Sequence, residues 1–279
     1  MDWKIISDSS CDLKKKDIVS DIVDFNTVPF AITIDGHEMV DTEDLNTGEL
    51  FDRIEAAKTP GKTACPAPDA WMAELLEKGN NILFTISENL SGSFNSANTA
   101  KKLFEEEGKT GKVAVINSRC TGPEVAMCIR KTVEWIESGM AYEEAVKKAD
   151  ALFDEIKTVF ALCSFDNLVV NGRMGRLTGF IARKLGMWGI GTGSDEGRIV
   201  MKGKARGTEG MLRVILEDMK ERCFTGKEIV ISHCQNLAAA EKLRDRLLEV
   251  WADARVTIME ARGLDGFYAE RGGLIVAYL

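Results

Sequence analysis

Asn81-Ile82-Leu83-Phe84-Thr85-Ile86-Ser87-Glu88-Asn89-Leu90-Ser91-Gly92-Ser93-Phe94-Asn95-Ser96-Ala97 decides the fold. Its first seven residues read as a buried strand, the next few as a short polar loop, and the rest as a helix opening near Ser93. Similar units lie on either side. Trp3–Ser7 and Lys112–Ile116 are short apolar runs, while Thr47–Ala57, Asp69–Lys78, Ser93–Glu107 and Pro123–Ser138 have helical spacing. Asn46 followed by Glu49 resembles a capping arrangement, and Pro68 suits a first helical turn. Strands alternating with helices predict a mostly parallel sheet covered on both faces.

Beyond a helix at Tyr142–Glu155 and an apolar run at Val159–Cys163, the texture changes. Residues 171–210 are rich in glycine and arginine. A helix over Thr208–Arg222, a strand over Glu228–His233, a helix over Leu237–Trp251 and strands over Arg255–Glu260 and Gly273–Leu279 follow. The expected architecture is α/β in two domains. Residues 1–160 form the mostly parallel unit and 161–279 a smaller α/β unit with a mixed sheet. A cleft between two domains is a favoured ligand site.

Composition narrows the function. The chain has 279 residues, 45% of them hydrophobic and 29% charged, which is ordinary for a globular protein. Lys and Arg number 36 against 44 Asp and Glu, a net charge of −8, so nucleic acid is not an expected partner. No apolar run approaches the roughly 18–20 residues that span a bilayer. The N-terminus reads as a first strand rather than a signal peptide. Seven scattered cysteines without a Cys-x-x-Cys argue against a disulfide framework, and a cytoplasmic location is expected. Only His37 and His233 are present, neither in a ligand-like cluster, so no metal site is expected.

Several catalytic motifs fail on context. Gly61-Lys62-Thr63 has Ala56 where a phosphate loop needs its first glycine, and prolines follow where the helix should begin. Gly108-Lys109-Thr110 fails in the same way, with Leu103. Gly189-Ile190-Gly191-Thr192-Gly193 reads as a turn system rather than a dinucleotide loop. Leu90-Ser91-Gly92-Ser93-Phe94 lacks the glycines of a nucleophile elbow, and His233 reads as a structural histidine.

The Ser91–Ser93 loop survives this screen. It sits at the carboxyl edge of the sheet, where ligands bind, and opens a helix whose first N–H groups favour an anion. Serines there add donors without a base; alternatively, they cap their own helix. Thr63-Ala64-Cys65-Pro66-Ala67-Pro68 is a second hydroxyl-bearing segment, held extended by its prolines. Thr63 either faces the same anion or is an exposed loop residue.

Taken in order, these segments resemble the DegV family, which includes the fatty-acid-binding subunits of bacterial fatty acid kinase. The matching pieces are Asp8-Ser9-Ser10-Cys11-Asp12-Leu13, the Thr63–Pro66 loop (family pattern Thr-Ser-Gln-Pro), and Leu90–Ala97. They continue with Asn171-Gly172-Arg173-Met174-Gly175-Arg176, Gly203-Lys204-Ala205-Arg206-Gly207 and Gly272-Gly273-Leu274. The resemblance implies a long-chain fatty acid held between two domains, its carboxylate bound by Thr63, Ser93 and Ser164. Tyr268 stands where several members carry a histidine and joins this head-group set. Phe94, Phe165, Met259 and Phe267 are candidates for the tail pocket. Arg173 and Arg206 match family arginines that dock a separate kinase subunit, the partner to which ATP and magnesium would belong. The chain itself is then expected to be a carrier without cofactor or chemistry of its own, and with at most transient membrane contact for lipid exchange. Two rivals remain: an enzyme acting on a phosphorylated or carboxylated metabolite at the Ser91–Ser93 loop, and a binder of another apolar acid with no kinase partner.

Overall fold

A computed structural model describes residues 2–175 and 186–279. In chain order its elements are β1 (Trp3–Asp8), β2 (Val23–Val28), β3 (Ala31–Ile34), β4 (His37–Val40), α1 (Thr47–Ala56), β5 (Lys62–Ala64), α2 (Pro68–Met72), β6 (Asn80–Thr85), α3 (Ser93–Glu106), β7 (Lys112–Asn117), α4 (Pro123–Glu137) and α5 (Tyr142–Glu155). There follow β8 (Lys157–Leu162), α6 (Asp166–Val170), β9 (Met187–Gly193), β10 (Ile199–Arg206), α7 (Gly207–Glu221), β11 (Glu228–His233), α8 (Leu237–Val250), β12 (Arg255–Glu260), α9 (Gly263–Ala269) and β13 (Leu274–Tyr278).

Strands in the order β2-β1-β6-β7 form an all-parallel sheet. Its residues alternate between two cores, as strand geometry requires. Ile5, Ile82 and Phe84 pack beneath α4 and α5, while Ile6 and Leu83 pack beneath α2 and α3. The α/β expectation therefore holds, with helices on both faces of the parallel sheet. A second, mixed sheet runs β10-β9-β8-β13-β11-β12, with only β11 and β12 parallel. One of its faces lies under α7 and α8 through Val159, Ala161, Ile229 and Ile231. The other meets α4, because Val230 and Ala277 join the core that α4 shares with the parallel sheet. A small antiparallel sheet, β4-β3-β5, lies at the seam. Among the described residues no helix is long and apolar enough to cross a membrane.

Two expectations need correction. The helix expected over Asp69–Lys78 stops at Met72. Asn81 explains why: its side chain accepts from the Leu76 amide (2.8 Å) and donates to the Leu76 carbonyl (3.1 Å), replacing helical partners. The glycines at 189–193 do not form a turn system. They lie in β9, where Gly191 pairs with Phe160 and a Cβ would come within 2.3 Å of its ring. Glycine in a strand here marks a close approach, a reading that composition alone does not separate from a turn. Arg176, part of a matching motif, lies outside the described residues.

Gly191→Ala is expected to cost about 1–3 kcal/mol through overpacking against Phe160, read as a lower urea midpoint. Gly203→Ala, where a Cβ meets nothing within 4 Å, should change stability by less than about 0.5 kcal/mol. Equal midpoints for Gly191→Ala and the parent would contradict the packing described.

Candidate functional site

Alternation along β8 builds the site. Val159 and Ala161 face the core under α7, so Thr158, Phe160 and Leu162 face the seam between the two large sheets. That face is not filled by packing. A cavity of about 850 Å³, counted out to its open mouth, runs along it. Ile275, Ile199 and Leu168 extend the apolar floor, and Phe30, Ile86, Leu90 and Leu264 form the opposite wall.

The end near Leu162 and Leu168 is polar. Thr63 reaches the wall because β5 pairs with β3, setting Thr63 opposite Ile32. Its hydroxyl lies 2.8 Å from the Tyr268 hydroxyl, which α9 carries. Arg173 is half-buried beside them: Nε donates to the Leu90 carbonyl (3.1 Å), and the guanidinium lies 5.8 Å from the Tyr268 ring centre. It also donates to its near neighbour's carbonyl at Asn171, leaving further N–H groups of the fork uncommitted to those carbonyls. Ser91 completes this end of the wall. Three hydroxyls and a cation, with no base hydrogen-bonded to them among the described residues, have the chemistry to receive an anion rather than to act as an activated nucleophile.

The other expected head-group residues are placed differently. Ser93 is fully buried and donates to Asp8 Oδ2 at 2.6 Å; Ser91, whose oxygen accepts from the Ser93 amide, is the serine on the cavity wall. The cause is Asp8, a wholly buried carboxyl at the end of β1 that also draws on Ser10 and the Ile86 amide. Ser164 donates to Glu270 at 2.7 Å and is likewise absent from the wall. None of the four tail candidates lines the cavity among the described residues. Phe165 stacks toward Phe160 in a core cluster, and Phe267 packs under β3 against Tyr268. Met259 flanks the core beneath α4, and Phe94 lies on α3. Arg173, expected on a docking face, lines the cavity, whereas Arg206 is exposed at the end of edge strand β10. His233 is mostly buried by its surroundings, which lower its pKa, and it is away from the wall. Among the described residues no cluster of His, Cys, Asp or Glu has the makings of a metal site.

Tyr268 is held in place by carboxylates. Asp41 accepts from the Gly263 and Leu264 amides (2.8 and 2.9 Å) at the start of α9. Asp12 accepts from the Arg262 amide (2.8 Å) and the Ser232 hydroxyl (2.7 Å), joining the first-strand loop to β11 and α9. Arg262, itself buried, donates to Thr27 and to the carbonyls of Leu13 and Asp41. Asp265 accepts from Thr121 at 2.7 Å, and its second oxygen is buried without a hydrogen-bond partner. Burial pushes Asp12 up to about 7 and raises Asp265 well above the carboxylate range; the Asp41 charge adds to both shifts, and Asp12 adds to that of Asp265.

A carboxyl whose pKa is raised on folding holds its proton more firmly in the native state than in the unfolded chain. Its stabilising effect is therefore complete at low pH and is lost as pH rises. Between about pH 4 and about pH 7 the parent should lose stability from this cluster, and Asp265→Asn should lose less. Denaturation curves across that range check this; identical slopes for the two proteins would contradict it.

This geometry has close counterparts. The family model "Uncharacterised protein, DegV family" matches residues 2–278. A DegV domain-containing protein of Streptococcus gordonii is 34% identical over 279 residues, covering 100% of this chain and 99% of the relative. The Streptococcus pneumoniae Fatty Acid Kinase (Fak) B3 protein, solved loaded with linoleic acid, superimposes with a TM-score of 0.94 at 32% identity, over 100% of this chain and 99% of that one. A DegV family protein from Eubacterium eligens, loaded with heptadecanoic acid, gives 0.93 at 32% identity over 99% of each chain. With one family model spanning nearly every residue and relatives aligned end to end, this chain belongs to the DegV family.

Proposed function

We propose that the protein binds one long-chain fatty acid in the seam cavity and presents its carboxylate to a separate ATP-dependent kinase. The observation that carries this reading is the form of the cavity: a long apolar groove ending in Thr63, Tyr268 and Arg173. Relatives similar over their full length were solved with heptadecanoic and linoleic acids bound. In this reading residues 1–160 and 161–279 close on the acid from two sides. Thr63 and Tyr268 bind the head group, aided by Ser91 and Arg173. Ser93 and Ser164 act from behind, through Asp8 and Glu270. Seven free cysteines suit a reducing compartment, and we assign the protein to the cytoplasm.

Magnitudes divide the labour. Each buried methylene is worth about 0.8 kcal/mol, so a tail of roughly 16 carbons contributes on the order of 10 kcal/mol before ordering costs. A hydrogen bond to the charged head adds about 1.5–3 kcal/mol. The tail therefore sets affinity and the hydroxyls set position. A kinase needs the carboxylate held at the mouth, and the chain contributes orientation rather than reaction. Exposed Arg206 at the edge of β10 is the basic group we assign to the kinase contact.

Lipid extraction with native mass spectrometry should find about one fatty acid per chain, and a protein that is empty and takes up none would refute the reading. Thr63→Val and Tyr268→Phe should each weaken palmitate binding by about tenfold without abolishing it. Arg206→Glu should lower capture of a fatty acid kinase subunit while leaving acid binding intact; undiminished capture would remove the docking assignment.

A further inference from the structure

The end of the cavity remote from Thr63 is not closed by an apolar plug. Along β8, Thr158 lies about 13 Å from Leu162, at ~3.3 Å per residue. There the wall consists of Thr158, Glu124, Arg119, Cys120, Thr192 and Gly193. Those residues also line a second, polar cavity that contains Lys157, Ser194 and Arg222. Thr158 is only 8% exposed, and its hydroxyl is buried without a hydrogen-bond partner. Beside it stands Glu124, half-buried in the first turn of α4, whose carboxyl makes no hydrogen bond of normal length among the described residues. The Thr158 hydroxyl and Cys120 thiol lean toward that carboxyl and favour its charged form, as do Lys157 and Arg222 from further off. Burial outweighs them and pushes Glu124 up to about 7.

A plain methyl terminus leaves this arrangement unexplained, because an alkyl chain laid against the buried Thr158 hydroxyl and the half-buried Glu124 carboxyl would cover both without a hydrogen bond. A chain ending in a hydroxyl would meet both needs: its proton goes to the Glu124 carboxylate, and its oxygen accepts from Thr158. A second carboxylate fits less well, since it would face Glu124. The nearby cations do not offset this. Arg119 pairs with Asp150 and Asp154, Arg222 is engaged by Asp218 and donates to Thr192, and Lys157 donates to the Asp154 carbonyl.

We propose that Glu124 and Thr158 make the remote end of the cavity a subsite for an oxygenated tail, so that the protein takes fatty acids carrying a neutral hydroxyl at or near the methyl end. This rests on the fatty-acid reading above and adds the class of acid. The subsite acts on tail selection alone, being separated from the head group by the length of the β8 face.

The test compares affinities of the delipidated full-length protein for myristic, palmitic and stearic acids and for their ω-hydroxy counterparts. Several lengths are used so that the terminus reaches the subsite in at least one pair. In the best-fitting pair the parent should bind the hydroxy acid at least as tightly as the plain one. Glu124→Leu combined with Thr158→Val should shift the ratio by about tenfold or more toward the plain acid, leaving plain-acid affinity equal or improved. Glu124→Gln keeps a hydrogen-bonding group in place and should retain most of the hydroxy preference, which guards against a variant that folds badly. A ratio that disfavours the hydroxy acid equally in parent and variants overturns the subsite while leaving fatty-acid binding intact. Failure to bind any acid overturns the parent reading, and this subsite with it.

Discussion

The fastening of α9 by buried carboxylates is the constraint on which the site depends. A helix of seven residues has little stability of its own, and its leading N–H groups need acceptors. Asp41 provides them from the far side of the seam, while Asp12 takes the amide of the preceding Arg262. These contacts fix the rotation of α9, which presents Leu264, Asp265, Tyr268 and Ala269 to the cavity and Phe267 to β3. Tyr268 then meets Thr63. The arrangement concentrates four buried acids, Asp8, Asp12, Asp41 and Asp265, near Arg262, the one buried arginine among the described residues. Burial raises the pKa values of Asp8, Asp12 and Asp265, and repulsion from neighbouring acids adds to it at Asp12 and Asp265.

The mixed sheet contributes the other requirement, a smooth apolar floor. Period-two alternation on β8 sends small residues, Val159 and Ala161, into the core under α7, and Phe160 and Leu162 toward the seam. Gly191 on the neighbouring strand leaves room for the Phe160 ring within the same sheet. A cavity of this kind costs stability when empty, because its lining lacks contacts on one side. An apolar ligand offsets that loss, which is the physical reason a chain of methylenes, rather than a polar metabolite, suits the seam.

Much of the architecture was legible in the sequence. The periodicity of Tyr142–Glu155 and the apolar runs at Glu228–His233 and Arg255–Glu260 correspond residue for residue to α5, β11 and β12. Those segments have strong patterns and clear local ends. The small strands β2 to β5, the strand β9 and the helix α9 were not legible, because distant partners determine them. Glycine in β9 looks like a turn until Phe160 is placed beside it, and α2 ends where Asn81 captures Leu76. The site shows the same division. Thr63 and Tyr268 are both on the cavity wall, whereas the hydroxyl of Ser93 belongs to Asp8, a residue far away in sequence. Tail residues could not be picked by type, since a phenylalanine facing a cavity and one facing a core read alike. Alternation on Val159–Cys163 was the one available signal, and it points to Phe160 and Leu162. Glu124 gave none, being indistinguishable from any acid in a first helical turn.

A crystal structure of the protein with palmitic acid addresses the central claim most directly. The account predicts a carboxylate within hydrogen-bond distance of Thr63 and Tyr268, followed by continuous tail density over Phe160 and Leu162 toward Thr158. An acid seated elsewhere, or one lying in the seam with its carboxylate turned away from Thr63 and Tyr268, would contradict it.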